Sequence, residues 1–188
     1  AVPVIETEEH IAAARKAMGE INAHFLTAVM EGRYRESYLT AEGADAPVFT
    51  DEEMAIIGTP LDLVGLNMYS PTHVRADDGP TGYAVVPHPN SYPRLDMPWL
   101  YINPQIAYWG PRLVSELWNV KHVVITENGA ASQDQLTPEG EVYDTDRLMY
   151  LRQHFLAAQR AVAEGWPLKG YFVWSLMDNF EWACGYTK

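Results

Sequence analysis

The run Val123-Val124-Ile125-Thr126-Glu127-Asn128-Gly129 constrains the chain most, because four β-branched residues in succession lead to a carboxylate and then to a turn-forming pair. β-Branched side chains suit a pleated, half-buried surface. The run is therefore a strand, and Glu127 stands where it reaches solvent. Two readings of Asn128-Gly129 compete. Asn-Gly is a strong hairpin signal, which would make Glu127 an ordinary residue beside a tight turn. A hairpin needs a returning strand, yet residues 130–140 are a polar loop without alternation, followed by a helical pattern. Strand, loop and helix fit better. A carboxylate at the C-terminal end of a strand in a parallel α/β barrel points into the mouth of the barrel, not into its packed interior.

The same alternation runs along the rest of the chain. Residues 7–32 read as one amphipathic helix, with Ile11, Ala14, Met18, Ile21, Phe25 and Val29 on its apolar stripe, Thr7 as cap and Gly32 as stop. The segment from Tyr34 to Thr59 is turn-rich, and Asp51-Glu52-Glu53 marks a helix start whose dipole suits negative charge. Leu61 to Tyr69 reads as a strand ended by Ser70-Pro71. A proline-rich connection to Pro104 carries Tyr83, Tyr92, Trp99 and Tyr101, more aromatic surface than a linker needs, and reads as a functional loop. Asn103-Pro104 opens a helix to about Trp118, interrupted at Gly110-Pro111. Asp144 to Glu164 is the clearest helix, with Leu148, Leu151, Phe155 and Val162 on one stripe, and Leu168 to Trp174 is the last strand. Widely spaced parallel β/α units need helices on both faces of the sheet or closure into a barrel, and three strands cannot close one.

Composition narrows the function. At 188 residues, 47% hydrophobic and 12% aromatic, the chain can build a substantial core. A net charge of -12, spread along the chain, disfavours nucleic acid and anionic membrane surfaces as partners. The one cysteine, Cys184, cannot form an internal disulfide, and no stretch resembles a signal peptide or a membrane span, so a reduced cytoplasmic setting is expected. The six histidines lack ligand spacing, and phosphate-loop and dinucleotide glycine patterns are absent; neither metal nor cofactor is implied. An apolar start without methionine, and a stop just after the aromatic segment Phe172 to Trp182, suggest a fragment.

Three strand exits gather chemistry: Asn67 with Tyr69, then Glu127, then Trp174-Ser175-Leu176-Met177-Asp178-Asn179-Phe180-Glu181-Trp182. Two indoles around a carboxylate form either a core cap over the sheet or a sugar site, in which flat sugar faces stack on rings and hydroxyls bond to the carboxylate and indole N–H groups. Ile125-Thr126-Glu127-Asn128-Gly129, Val173 to Trp182 and Leu66-Asn67-Met68-Tyr69-Ser70 together resemble glycoside hydrolase family 1. The resemblance implies an α/β fold, a partial (β/α)8 TIM barrel comprising roughly the second half, strands six to eight with their helices, as one unit over residues 1–188. It implies a retaining β-glycosidase acting on a β-linked sugar such as a β-glucoside. By position, Glu127 matches the catalytic nucleophile and Tyr69 the tyrosine bonded to it. Trp174 matches the sugar platform, and Glu181 and Trp182 match residues holding outer hydroxyls. Asn67 joins them at the sugar, and Trp99 lies where an aglycone-facing tryptophan is common. Glu181 would repel a phosphorylated sugar. No Asn-Glu-Pro, the family's acid/base motif, is present, although retaining enzymes need two carboxyl groups about 5 Å apart. The expected partner is a complementary N-terminal barrel half or another copy. The rival expectation is an inert half-barrel used for assembly or carbohydrate binding.

Overall fold

The computed structural model describes residues 1–187. A two-residue strand β1 (Val2–Pro3) leads into helices α1 (Glu8–Ile21), α2 (Leu26–Glu31), α3 (Glu36–Glu42) and α4 (Asp51–Ile57). Strand β2 (Val64–Asn67) follows, then β3 (His73–Ala76), β4 (Tyr83–Val86) and helix α5 (Ile106–Trp118). Strand β5 (Val123–Asn128), helix α6 (Thr145–Ala163) and strand β6 (Leu168–Val173) complete the sequence of elements, with a short 3-10 turn at Trp182–Cys184. β2, β5 and β6 form one sheet, parallel throughout, with β5 in the middle. Each link between neighbours crosses through a helix, α5 between β2 and β5 and α6 between β5 and β6. This is the β/α repetition expected from the sequence.

Alternate residues of the sheet face opposite ways. Val64, Val123, Ile125 and Leu168 are buried and join Tyr108, Trp109, Leu113 and Val114 of α5 and Ala157, Ala158 and Ala161 of α6 in one core. The other sheet face carries Asn67, Thr126 and Phe172, all exposed. A closed barrel turns that face inward. Parallel sheets normally bury both sides, so its bareness among the described residues is the most unusual property of the molecule.

Four expectations are corrected. Residues 7–32 are not one helix. The Asn22 backbone N–H and its Nδ2 both donate to the Met18 carbonyl, at 3.3 and 2.9 Å, ending α1 in the way short polar side chains compete with a helical ladder. The register then changes before α2, and Ile21 and Phe25 face solvent instead of the core. The proline-rich connection contains a second sheet: β3 and β4 pair antiparallel, and β1 lies parallel to β3. Helix α5 runs through Gly110-Pro111 without a break. A proline there forfeits one ladder bond, but eight of the thirteen residues are buried, and Gly110 packs so closely that a β-carbon would overlap Met68 Sδ. In α6 the stripe of Leu148, Phe155 and Val162 faces solvent, and the helix buries Tyr150, His154 and three alanines instead. Small residues let α6 approach the shared core, chiefly against α5; the large apolar stripe is left mostly exposed among the described residues.

Candidate active-site cleft

The strand exits meet at one rim because the strands are parallel. In an uninterrupted pleat Glu127 would share the helix-facing side with Ile125. The register slips instead: Leu66 pairs with Ile125, but Asn67 pairs with Glu127, leaving Thr126 as an extra residue on β5. Such a bulge re-aims the side chains beyond it. Glu127 turns into the cleft and Asn128 into the interior, where it is 1% exposed.

Glu127 Oε2 accepts a hydrogen bond from the Tyr69 hydroxyl at 2.8 Å. Burial, reinforced by that bond to a carboxylate, holds the Tyr69 phenol far above its ordinary ionisation range, so Tyr69 is a fixed donor. The Trp99 ring meets the Tyr69 ring edge-on, with centroids 5.7 Å apart. Ser70 Oγ donates to the Trp99 carbonyl at 2.6 Å and accepts from the Tyr101 N–H at 3.1 Å, fastening the Trp99 loop to the end of β2. Asn67 Oδ1 accepts from Thr126 Oγ1 at 2.8 Å across the strand pair.

Trp174 follows β6. Its N–H donates to the Asn128 carbonyl at 3.0 Å, and its peptide bond to Ser175 is cis. A β-carbon on Gly129 would collide with the Trp174 carbonyl oxygen, so this glycine serves close approach between two backbones. Beyond it the chain folds back on itself: Glu181 N–H donates to the Gly185 carbonyl at 2.7 Å and Gly185 N–H to the Glu181 carbonyl at 3.1 Å. Trp182 projects from this loop, 85% exposed.

All seven residues singled out from the sequence, Asn67, Tyr69, Trp99, Glu127, Trp174, Glu181 and Trp182, line a single cleft of about 440 Å³. Residues that sequence reasoning did not single out line it too, including Asp134, Arg147 and Tyr150. Arg147 is engaged by Asp134 and by Asp144, the latter at 2.8 Å, leaving the lining carboxylates Glu127, Asp178 and Glu181 to set a negative field. Such a field suits neutral polyols and opposes anions. Asn128 went unremarked because Asn-Gly reads as turn chemistry, and nothing local shows which residues surround its amide. Among the described residues no group of three or more His, Cys, Asp or Glu side chains is arranged to hold a metal ion.

The model of glycosyl hydrolase family 1 matches residues 1–188. The chain belongs to glycosyl hydrolase family 1. Beta-glucosidase A of Thermotoga maritima is 41% identical over 189 residues, covering 99% of this chain and 42% of the relative. A beta-glucosidase of Agrobacterium sp. is 36% identical over 190 residues, covering 99% and 41%. Among solved structures, the Thermotoga maritima beta-glucosidase in complex with glucoimidazole matches with a TM-score of 0.77 and 40% identity, covering 99% of this chain and 42% of that one. The chain thus spans about 42% of the length of such family 1 relatives. Those neighbours are barrel enzymes, and the α/β layers described above form part of that architecture.

Proposed function

We propose that this chain contributes strands six to eight, with their helices, to a retaining β-glycosidase domain acting on β-glucosides or closely related β-glycosides. Glu127 is the nucleophile. Its carboxylate attacks the anomeric carbon, the bond to the leaving oxygen breaks, and a glycosyl-enzyme ester forms that water later hydrolyses. Tyr69 holds the attacking carboxylate through its hydroxyl. Trp174 lies under the sugar ring, Glu181, Trp182 and Asn67 bond its hydroxyls, and Trp99 faces the aglycone. The acid/base carboxyl is supplied by barrel residues outside this sequence, in a complementary segment or partner chain.

One observation carries this reading: a bulge turns the carboxylate of the central parallel strand into a tryptophan-lined cleft, where a half-buried tyrosine's hydroxyl holds it at 2.8 Å. A structural glutamate at a strand end has no need of either feature. An aryl β-glucoside with a dinitrophenolate leaving group needs little acid assistance. Incubation with it is expected to add one glucosyl unit to the intact mass, and peptide mapping to place the unit on Glu127. The Glu127→Gln protein should gain none; an adduct that survives this substitution defeats the assignment. The second reading, an inert piece serving assembly or sugar binding, draws on the bare inner face of the sheet. It prevails if a folded sample binds a β-glucoside yet never forms the adduct.

A further inference from the structure

Behind Glu127, Asn128 is buried and both ends of its amide are used. Nδ2 donates to the Met68 carbonyl at 2.7 Å and to the Tyr150 hydroxyl at 2.8 Å, while Oδ1 accepts from the Tyr171 hydroxyl. A carbonyl oxygen can only accept, so the Met68 contact fixes which end of the amide faces it. The partners come from three elements: the exit of β2, helix α6 and strand β6. Neither tyrosine is free to swing. The His154 ring stacks on Tyr150 at 4.0 Å, and the Phe155 ring meets Tyr171 edge-on at 4.8 Å.

Met68 connects this arrangement to the cleft. Its N–H donates to the Glu127 carbonyl at 2.9 Å, and its carbonyl, which leads directly into Tyr69, accepts from Asn128. The backbone that carries Tyr69 is thereby bonded to residue 127 through one peptide group and to residue 128 through the next. A bulge loosens regular pairing at this point, so the spacing between Tyr69 and Glu127 has no continuous ladder to define it. The Asn128 side chain takes over that task.

We propose that Asn128, locked by Tyr150 and Tyr171, is a positioning residue that sets the Tyr69–Glu127 hydrogen bond and so the aim of the Glu127 carboxylate. This rests on the reading of Glu127 as nucleophile. Tyr171 is the position to test, because it lines no part of the cleft and Tyr171→Phe deletes only the hydroxyl that grips the Asn128 oxygen.

The rate of glycosyl transfer to Glu127 is measured by intact mass against concentration of the dinitrophenyl β-glucoside, for the chain and for Tyr171→Phe, Tyr69→Phe and the double variant. Tyr171→Phe is expected to lower the limiting rate roughly tenfold and to leave the half-saturating concentration within about twofold, as a misaimed group does. If positioning acts through Tyr69, the double variant labels no more slowly than Tyr69→Phe, since coupled residues do not add. Multiplying defects overturn the proposal and leave Tyr171 a structural residue. Should Tyr171→Phe fail to fold, Tyr150→Phe enters the same cycle. Absence of any label would sink the nucleophile reading instead, and a second readout then decides the positioning. In protein labelled with ¹³C at the tyrosine ring carbon bearing oxygen, the Tyr69 signal is identified by its loss in Tyr69→Phe. Its chemical shift at neutral pH reports the hydrogen bond to the Glu127 carboxylate, formed at 2.8 Å in the parent chain, and should move in Tyr171→Phe toward that of an unbonded phenol; an unchanged shift overturns the proposal.

Discussion

Gly129 shows how one residue can satisfy a local rule for a different reason. Asn-Gly reads as turn chemistry, in which glycine supplies a positive φ. Gly129 is not among the left-handed glycines of this structure; what it lacks is the β-carbon that would strike the Trp174 carbonyl. The obstacle is backbone, which cannot rotate away as a flexible side chain can. Gly129→Ala is therefore expected to push β6 away from β5 at their exits and to cost about 1–3 kcal/mol, the usual penalty for overpacking. A lowered urea midpoint checks the cost, and a loss of sugar binding out of proportion to it checks the displacement of Trp174. A midpoint equal to the parent would mean that the two backbones separate without resistance.

At the scale of elements, helix α6 carries two apolar faces, and periodicity alone favours the wrong one. Leu148, Phe155 and Val162 are larger and more hydrophobic than Ala157, Ala158 and Ala161, so they dominate any reading of the stripe, yet the alanines are buried in the core shared with α5 and the sheet and the large residues are exposed. The expected ordering of variants is accordingly reversed from the sequence pattern. Leu148→Lys and Val162→Lys should each change stability by less than about 0.5 kcal/mol, as surface substitutions do. Ala161→Leu, at a fully buried position, should cost about 1–3 kcal/mol by overpacking. Urea unfolding of the three proteins decides between the faces, and a large loss from either lysine variant would show that the outer stripe is covered in solution. The three parallel strands and the rim residues were legible because each rests on a contiguous stretch: the β-branched run before Glu127, Leu66 to Tyr69, and the aromatic segment after β6. Helix breaks and facing were not, since Asn22 ends α1 by a side-chain bond that composition does not reveal, and the pairing of β1 with β3 joins residues some 70 positions apart. In the cleft, the carboxylate and indoles were legible, whereas Asn128 and its tyrosines meet only through tertiary packing.

Across the whole molecule, ion pairs on the helical layer join segments far apart in the chain. Glu116 of α5 accepts from Arg15 of α1 and Arg112 of its own helix, each at 2.7 Å, and Glu6 pairs with Arg160 of α6 at 2.6 Å. Burial works against ionisation of Glu116, but hydrogen bonds from Arg112 and Arg15 prevail and hold its carboxyl below the ordinary value of 4.5. The Arg160 hydrogen bond is the main cause of the same direction at Glu6. A carboxyl depressed in the folded state contributes stability that is fully present above its unfolded pKa and is lost as pH falls through the folded one. Stability should therefore hold from neutral pH down to the ordinary carboxylate range and decline below it. A competing effect runs the other way, because protonation relieves the self-repulsion of a chain with net charge -12. Repulsion between dispersed surface charges is screened within about 8 Å at physiological salt, whereas the Glu116 contacts are direct and partly buried, so the local loss dominates. Glu116→Gln isolates it: the variant should be less stable than the parent at pH 7, with the gap narrowing only below the ordinary carboxylate range, toward about pH 3, as the parent's depressed carboxyl protonates. Urea midpoints at the two pH values measure that gap, and a gap that persists at low pH would assign the effect to packing of the side chain and not to its charge.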